Sequence, residues 1–314
     1  MVQHYTSLEG VNLTNTWLTI GSFDGIHIGH QKLIRELIAD AHQNGAQAVV
    51  LTFHPHPSVV VRGRTGAFYL TTPDEKLALL DELGVDIVIT HPFTYELSQS
   101  PARNYLAYLK DHLGFKMLWV GHDFALGKGR EGNIAYLTVH GNEFGYQVHV
   151  VEPVKNNGQV ASSSLIRNLL SAGNIADANT LLGRQYQVTG VVVHGDGRGK
   201  KIGIPTANLD TGSEKLIPAA GVYACLAEID GRKVLAAVNI GTRPTFESTD
   251  QLSHVEAHIL DFIEDLYNKK LSLVFVERLR GEERFQSIDE LLIQIHADID
   301  QTRKLISTQI NTRS

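Results

Sequence analysis

Two histidines lie three residues apart near the start of the chain, in the segment Gly21-Ser22-Phe23-Asp24-Gly25-Ile26-His27-Ile28-Gly29-His30. An apolar run precedes this segment and a helical pattern follows it, which predicts a turn between a strand and a helix. A helix N-terminus offers free backbone N–H groups and the positive end of the helix dipole to an anion. His27 and His30 could both contact a triphosphate there, as nucleotidyl transfer requires. Two histidines at such a position also occur as simple helix caps, and the short motif alone does not decide between these readings.

Three further segments of the first half carry polar groups at predicted strand or helix ends. Thr52-Phe53-His54-Pro55-His56-Pro57 follows the second predicted strand, and Gly121–Gly132 forms a long loop after the fourth. Ser162-Ser163-Ser164-Leu165-Ile166-Arg167 opens a helix, where hydroxyl groups suit a cap and the Arg167 guanidinium suits a phosphate. Each segment alone is a weak signal, since a serine cluster before an apolar run is usually only a cap.

The second half contains a glycine-rich, basic segment, Gly195-Asp196-Gly197-Arg198-Gly199-Lys200-Lys201. Its glycines permit close backbone approach to a phosphate and its side chains supply positive charge, although a hairpin turn explains such a loop equally well. Pro205-Thr206-Ala207-Asn208 follows it. The oxygens of Thr206 and Asn208 are suitable ligands for a hydrated Mg²⁺.

A second polar pattern lies at His254-Val255-Glu256-Ala257-His258-Ile259. Strand alternation places His254, Glu256 and His258 on one face and the apolar residues on the other. This polar face could bind a metal, supply a base or simply be solvated. The charged segment Arg278–Phe285 comes before the last predicted helix, and it too could be no more than a solvated run.

The elements that must position these groups differ between the two halves. In the first, short apolar runs alternate with helical patterns, which predicts right-handed crossovers and a doubly wound parallel sheet with ligands at the carboxyl ends of its strands. These predicted strands are Trp17–Ile20, Ala48–Phe53, Val85–Thr90, Met117–Val120 and Val148–Val151.

After Gly183 helical patterns nearly vanish, and strands separated by Gly-, Asp- and Pro-containing turns predict a small β-barrel closed by one long helix. The predicted elements are strands Tyr186–Val193, Val222–Ile229, Lys233–Asn239, His254–Leu260 and Leu271–Val276, and helix Ile288–Ile306. The predicted domains are therefore 1–183, nucleotidyltransferase-like, and 184–314, the β-barrel.

Composition limits the remaining possibilities. The chain has 314 residues, 43% of them hydrophobic, which allows two domains with separate cores. Its net charge of −6 does not favour nucleic acid or an anionic membrane as a partner. The single cysteine, Cys225, lies in an apolar run and is expected to be core. With no signal peptide and no apolar run long enough to span a bilayer, the expected location is cytoplasmic; the oligomeric state stays open.

The string G-x-F-D-G-x-H-x-G-H resembles the nucleotidyltransferase signature of class I aminoacyl-tRNA synthetases and, at this length, the FMN adenylyltransferase half of bacterial bifunctional riboflavin kinase/FAD synthetases. The three further segments of the first half agree with that family in order and spacing. In the second half, P-T-A-N and V-E-A-H-I-L-D-F match its riboflavin kinase signatures. The resemblance runs from about Thr19 to Ile299, with both halves in the family order.

This resemblance implies that the barrel domain phosphorylates riboflavin to FMN and that the N-terminal domain adenylylates FMN to FAD, with ATP and Mg²⁺ in both steps. Glu256 would be the general base toward the ribityl 5′-hydroxyl. The implied residues are Glu256, His27 and His30 for catalysis; Gly21, Phe23, Asp24, Gly29, Ser163, Arg167, Gly195, Gly199 and Lys201 for ATP; Asp123, Phe124 and Arg280 for flavin; and Thr206 and Asn208 for metal.

Two positions depart from the family pattern. His54 stands where the family commonly has an acid, and Ser164 stands where it usually has Thr, which keeps the hydroxyl. Two alternatives stay open: an enzyme with only one active site, motivated by His54, and a regulator that binds flavin or nucleotide without catalysis. Binding alone would not require Glu256, which disfavours the regulator.

Overall fold

The computed structural model describes residues 2–195, 197, 199, 202–242 and 253–311, and the chain divides into two compact units. One comprises Met1–Thr65 and Tyr69–Ser163, and the other Gly66–Phe68 and Ser164–Ser314. This division groups residues by their contacts; the predicted domain boundary at 183/184 stays a prediction. None of the described helices combines the length and apolar character needed to cross a membrane.

The first unit is built on a six-stranded parallel sheet with the strand order β1-β4-β3-β2-β5-β8. The strands are β1 (Gln3–Tyr5), β2 (Thr16–Ile20), β3 (Gln47–His54), β4 (Ile87–Pro92), β5 (Phe115–Gly121), β6 (Ala125–Leu126), β7 (Gly132–Asn133), β8 (Gln147–Val151), β9 (Lys155–Asn156) and β10 (Gln159–Val160). The predicted doubly wound parallel sheet is confirmed. The short strands pair separately, β6 with β7 and β9 with β10.

Helices cover both faces of this sheet because its strands are apolar on both sides. They are α1 (Ile28–Gln43), α2 (Pro57–Arg62), α3 (Pro73–Glu82), α4 (Tyr95–Ser98), α5 (Ala102–Leu113) and α6 (Ile134–Phe144). Leu18 of β2 belongs to the core beneath α5, whereas its neighbour Trp17 belongs to the core beneath α1 and α3. β2 thus divides its alternate side chains between two cores.

The second unit is a closed antiparallel barrel with the strand order β11-β12-β15-β14-β13-β16. Its elements are α7 (Ser163–Ser171), α8 (Ile175–Leu182), β11 (Tyr186–Val193), β12 (Ala207–Asp210), β13 (Gly221–Ile229), β14 (Arg232–Thr242), β15 (Ser253–Ile259), β16 (Lys270–Arg280) and α9 (Ile288–Asn311). The five predicted strands and the long final helix are present. β12 is a further strand that was not predicted, and it lies in the segment predicted to supply the metal ligands.

Large side chains fill the barrel, so the barrel is a packed core. Tyr223, Cys225 and Phe275 are fully buried there. Burial raises the pKa of the Cys225 thiol well above its ordinary value, as expected for a core cysteine. Helix α9 packs on the outside of the barrel, where Ile299 contacts an apolar cluster that includes Ile204 and Leu260.

Candidate functional sites

The first candidate site lies where the chain reverses its direction of travel across the parallel sheet. From β2 the strands proceed to β3 and β4 on one side, and β5 and β8 lie on the other. The carboxyl ends of β2 and β5 therefore meet at a topological switch point, the usual ligand position in such sheets. Residues 21–27, here called the β2–α1 loop, follow β2, and the loop that begins at His122 follows β5.

His27 and His30 form a stacked pair at the start of α1. Their rings lie 3.7 Å apart at an interplanar angle of 20°, and the His27 Nδ1 accepts a hydrogen bond from the His30 backbone N–H at 3.4 Å. His27 is thus a helix cap, one of the readings that the motif allowed. The His30 Nδ1 is buried and has no hydrogen-bond partner among the described residues. Burial first, and then the positive charge of His27 and Lys76, lower the pKa of His30 well below its ordinary value.

The β2–α1 loop has an unusual backbone. Phe23, Gly25 and Ile26 all have positive φ, at 42°, 80° and 37°. Phe23 and Ile26 are buried, and a β-branched residue in this region is strained. Such strain persists only where the surroundings enforce it, and it is common at ligand sites. A side chain at Gly29 would place its Cβ 3.1 Å from the His27 ring, so glycine there accommodates the stacked pair.

Asp24 anchors this loop from inside the protein. It is fully buried, and its carboxylate accepts hydrogen bonds from the backbone N–H groups of Leu70 and Thr71, each at 3.1 Å. The Asp24 carbonyl accepts a hydrogen bond from the Ser163 Oγ at 2.8 Å. The side chains of Asp24 and Ser163 thus hold the loop in shape, and their predicted contact with ATP stays a prediction.

Lys76, which no sequence motif included, also contacts the loop. It is only 5% exposed, and its Nζ donates to the Ser22 carbonyl at 2.7 Å and to the Thr52 Oγ1 at 3.1 Å. Burial lowers its pKa to about 8, although the nearby Asp24 carboxylate acts in the opposite direction. The available sequence signal was its spacing: Lys76 lies one helical turn before Leu80 on the buried side of α3.

The loop after β5 lines a cavity of about 360 Å³. Asp123 and Phe124, both predicted to bind flavin, line it together with Arg130 and Ile134. The Arg130 guanidinium donates to the Asp123 carbonyl at 2.6 Å, which links two parts of this loop. The structure therefore brings the two predicted flavin residues to one cavity of the size that small-molecule sites have.

Arg167 and His54 are the other predicted positions of interest in this half. Arg167 belongs to the second compact unit, where its guanidinium lies 3.9 Å from the Phe68 ring centroid and its Nε donates to the Phe68 carbonyl at 2.9 Å. Its predicted phosphate contact stays a prediction. His54 ends β3, and its ring lies 5.6 Å from that of Tyr69.

The second candidate site lies on the outer wall of the barrel. Strand register places five residues side by side on adjacent strands, and we call this set the outer row: Asn208, Glu256, Asn239, Val222 and Arg280. Directly paired residues face the same side of a sheet. The neighbours of Glu256 along its strand, Val255 and Ala257, are fully buried, so the outer row faces away from the barrel interior.

A cavity of about 350 Å³ lies under α9, and every member of the outer row except Asn208 lines it. The predicted residues Thr206, Glu256, Arg280 and Gly199 all line it. Apolar side chains, among them Phe285, form another part of the wall. Asn239 also lines the cavity but had no predicted site role; its pairing with Glu256 is visible only in the register of β14 and β15.

The polar groups around Glu256 are closely packed. The Asn208 Oδ1 is buried and has no hydrogen-bond partner in the described part of the chain. A side chain at Gly195 would place its Cβ 2.2 Å from the Asn208 amide nitrogen, so this position must be glycine. The His254 Nε2 lies 3.0 Å from a Glu256 carboxylate oxygen, and the His258 Nδ1 lies 2.8 Å from the Pro205 carbonyl.

Arg280 is held by a buried carboxylate that the sequence did not single out. Its Nη2 lies 2.8 Å from Asp298 of α9, and its Nε lies 3.1 Å from the other oxygen of the same carboxylate. The side chains are 15% and 5% exposed. Gln294 donates to Asp298 as well, at 2.9 Å. This bidentate pair fixes the guanidinium at the edge of the cavity.

The predicted ATP contact Lys201 lies outside the described residues, as do Arg198 and Lys200 of the same segment. Within the described ranges, no group of three or more His, Cys, Asp or Glu side chains could hold a metal ion.

Comparison with known proteins assigns the two halves of the chain to two enzyme families. Residues 11–165 match the family model for FAD synthetase, and residues 182–306 match that for riboflavin kinase. The chain is 38% identical to the bifunctional riboflavin kinase/FMN adenylyltransferase of Escherichia coli (strain K12) over 283 residues, 90% of each chain. With the enzyme of the same name from Listeria monocytogenes it shares 34% identity over 92% of each.

A solved structure from Streptococcus pneumoniae, described as a macrolide-efflux protein, superposes with a TM-score of 0.86 at 30% identity and covers 96% of this chain and 98% of that one. The chain belongs to the family of bifunctional riboflavin kinase/FMN adenylyltransferases. It therefore has the riboflavin kinase and FMN adenylyltransferase activities of FAD biosynthesis.

Proposed function

We propose that the outer row of the barrel is the riboflavin kinase site and that Glu256 is its general base. The observation that carries this proposal is that Glu256, Thr206 and Arg280, drawn from three distant segments, line one cavity. In the reaction the ribityl 5′-oxygen attacks the γ-phosphorus of ATP, the bond to the ADP oxygen breaks, and Glu256 takes the hydroxyl proton. The apolar part of the wall suits the flavin ring, and Arg280 is oriented by Asp298.

Thr206 and Asn208 would hold Mg²⁺ in this site. The donor set fits, because hard cations prefer oxygen ligands and the buried Asn208 Oδ1 has no other partner among the described residues. When bound, Mg²⁺ supplies positive charge against the ATP phosphates. The close approach of Gly195 to the Asn208 amide fixes the direction of that side chain.

In the first unit we assign adenylyl transfer to the β2–α1 loop and the His27–His30 pair. An FMN phosphate oxygen attacks the α-phosphorus of ATP, and the bond to pyrophosphate breaks, so no proton has to be abstracted. His30 is neutral before ATP binds, because its pKa is lowered. A neutral imidazole donates one N–H to a phosphate oxygen, and the negative charge of the triphosphate favours uptake of a second proton. The cavity at Asp123 and Phe124 would hold the flavin.

Chromatography of the products from riboflavin, ATP and Mg²⁺, with a parallel reaction started from FMN, tests these assignments. Glu256→Gln should lower FMN formation by about 10²- to 10⁴-fold and leave the conversion of FMN to FAD intact. His30→Ala should do the reverse. If Glu256→Gln still makes FMN at the normal rate, the general base is misassigned. If the unmodified enzyme makes FMN but never FAD, only one site is active and His54 is the first residue to replace by an acid.

We also infer a cytoplasmic location and a domain boundary at 183/184. The dependence of both reactions on ATP supports the first. The riboflavin kinase match, which begins at residue 182, supports the second. Expression of 184–314 alone would test the boundary, with riboflavin phosphorylation as the readout.

A further inference from the structure

Lys76 is a buried cation beside the β2–α1 loop. Removing an ammonium group from water is costly unless it is paired. The described residues offer its three N–H groups two acceptors, the Ser22 carbonyl and the Thr52 Oγ1. The Thr52 hydroxyl in turn donates to the same Ser22 carbonyl at 3.1 Å. Two donors thus converge on one peptide oxygen of the loop.

Holding the Ser22 carbonyl also fixes the next amide. The peptide group is planar and trans, so the carbonyl of Ser22 and the N–H of Phe23 point in opposite directions. The Phe23 N–H makes no hydrogen bond to any residue that the structure describes. It lies in a loop with positive φ at Phe23, Gly25 and Ile26, next to a helix N-terminus, where backbone N–H groups bind anions.

One segment of the chain, residues 70–76, holds the β2–α1 loop at two points. Leu70 and Thr71 hold the Asp24 carboxylate, and Lys76, less than two helical turns further on, holds the Ser22 carbonyl. The first contact fixes the middle of the loop and the second fixes its beginning. The charged or titratable groups that face Lys76 are Asp24 and His30.

We propose that Lys76 is a positioning residue for ATP in the adenylyl-transfer site: its buried ammonium orients the Ser22–Phe23 peptide so that the Phe23 N–H meets a phosphate. This inference rests on the adenylyl-transfer function proposed above. Lys76 itself does not have to touch ATP. Its positive charge lies behind the loop and adds to the attraction for the triphosphate.

The test uses the full chain with Lys76→Met, which keeps side-chain length and removes the charge. The KM for ATP in FAD formation should rise about 10- to 100-fold, the loss expected for one hydrogen bond to a charged group, while kcat falls much less. Riboflavin phosphorylation should not change. In the unmodified enzyme kcat/KM for ATP should fall as pH rises through about 8, the pKa of Lys76. That fall should be absent from the variant.

Lys110→Met is the matched control. Lys110 is also in the first unit and also donates to two backbone carbonyls, those of Phe115 and Gly145, but away from the loop. The Lys110→Met variant should be less stable, but its KM for ATP and the pH dependence of its kcat/KM for ATP should match those of the unmodified enzyme. Unchanged KM and an unchanged pH profile in Lys76→Met would overturn the proposal.

If the Lys76→Met variant does not fold, the Thr52→Val variant is measured instead. Valine keeps the shape and removes one donor to the Ser22 carbonyl, so the KM for ATP should rise about 3- to 10-fold. No rise would contradict the proposal. A failure of the unmodified enzyme to make any FAD from FMN is a different result, because it refutes adenylyl transfer itself.

Discussion

Replacing Asp298 by asparagine should destabilise the barrel unit and impair the kinase together. The Asp298 side chain is 5% exposed and forms a bidentate pair with Arg280. Removing one partner of a buried pair leaves the other charge desolvated, which costs about 3 kcal/mol. For a unit of this size that corresponds to a fall in Tm of about 10 °C. The KM for riboflavin should rise, because the guanidinium at the cavity edge loses its support.

Asp261→Asn is the matched control, since Arg303 of the same helix α9 pairs with Asp261 of the barrel. These side chains are 44% and 72% exposed, and exposed pairs contribute little. Both tryptophans, Trp17 and Trp119, lie in the first unit. Tryptophan fluorescence therefore follows that unit, whereas circular dichroism follows both.

Asp298→Asn should lower the melting temperature of the second unit, measured by far-UV circular dichroism. The melting temperature measured by tryptophan fluorescence and the conversion of FMN to FAD should not change. Asp261→Asn should melt like the unmodified enzyme. If the two variants have the same Tm and the same KM for riboflavin, the buried pair does not support the site, and the reasoning from burial is refuted.

Three further outcomes follow from the structure. Gly195→Ala should lower FMN formation by about tenfold or more. The new Cβ would lie only 2.2 Å from the Asn208 amide nitrogen, so the Asn208 side chain would have to move. Normal FMN formation, measured by product chromatography, would contradict this. The unfolding free energy of the first unit should increase with pH between about 8 and 10.5. In this pH range Lys76 is more protonated in the unfolded chain than in the folded chain. The gain is about 3 kcal/mol, and urea titrations followed by tryptophan fluorescence should show it in the unmodified enzyme and not in Lys76→Met. Cys225 should not react with a thiol reagent until the protein unfolds, and fast labelling of the native protein would show that the barrel is open.

Much of the fold could be predicted from the sequence because its signals are local. Buried parallel strands are apolar runs, and the barrel strands are bounded by turn residues, so five strands of each unit were found. β12 was missed because it has only four residues and directly follows a Pro-Thr pair. Residue type and spacing singled out His27, His30 and Glu256; the structure stacks the two histidines and places Glu256 on a cavity wall, while their catalytic roles stay predictions.

The residues that support these groups could not be predicted in the same way. Lys76 acts on a peptide 54 positions earlier, and Asp298 acts on an arginine 18 positions earlier. Each is a single charged residue in a helical pattern, where an exposed position is the ordinary expectation. Asn239 meets Glu256 only through strand register, which the sequence does not specify without the barrel.

The division of the barrel strands into inward and outward residues also bears on how this enzyme can change over evolutionary time. Along β15, Val255 and Ala257 face the interior while Glu256 faces the cavity. Core substitutions that conserve volume are tolerated when their neighbours adjust. Substitutions can therefore accumulate in the barrel interior without altering the face that lines the cavity, so the packing and the cavity chemistry of the same few strands can change independently.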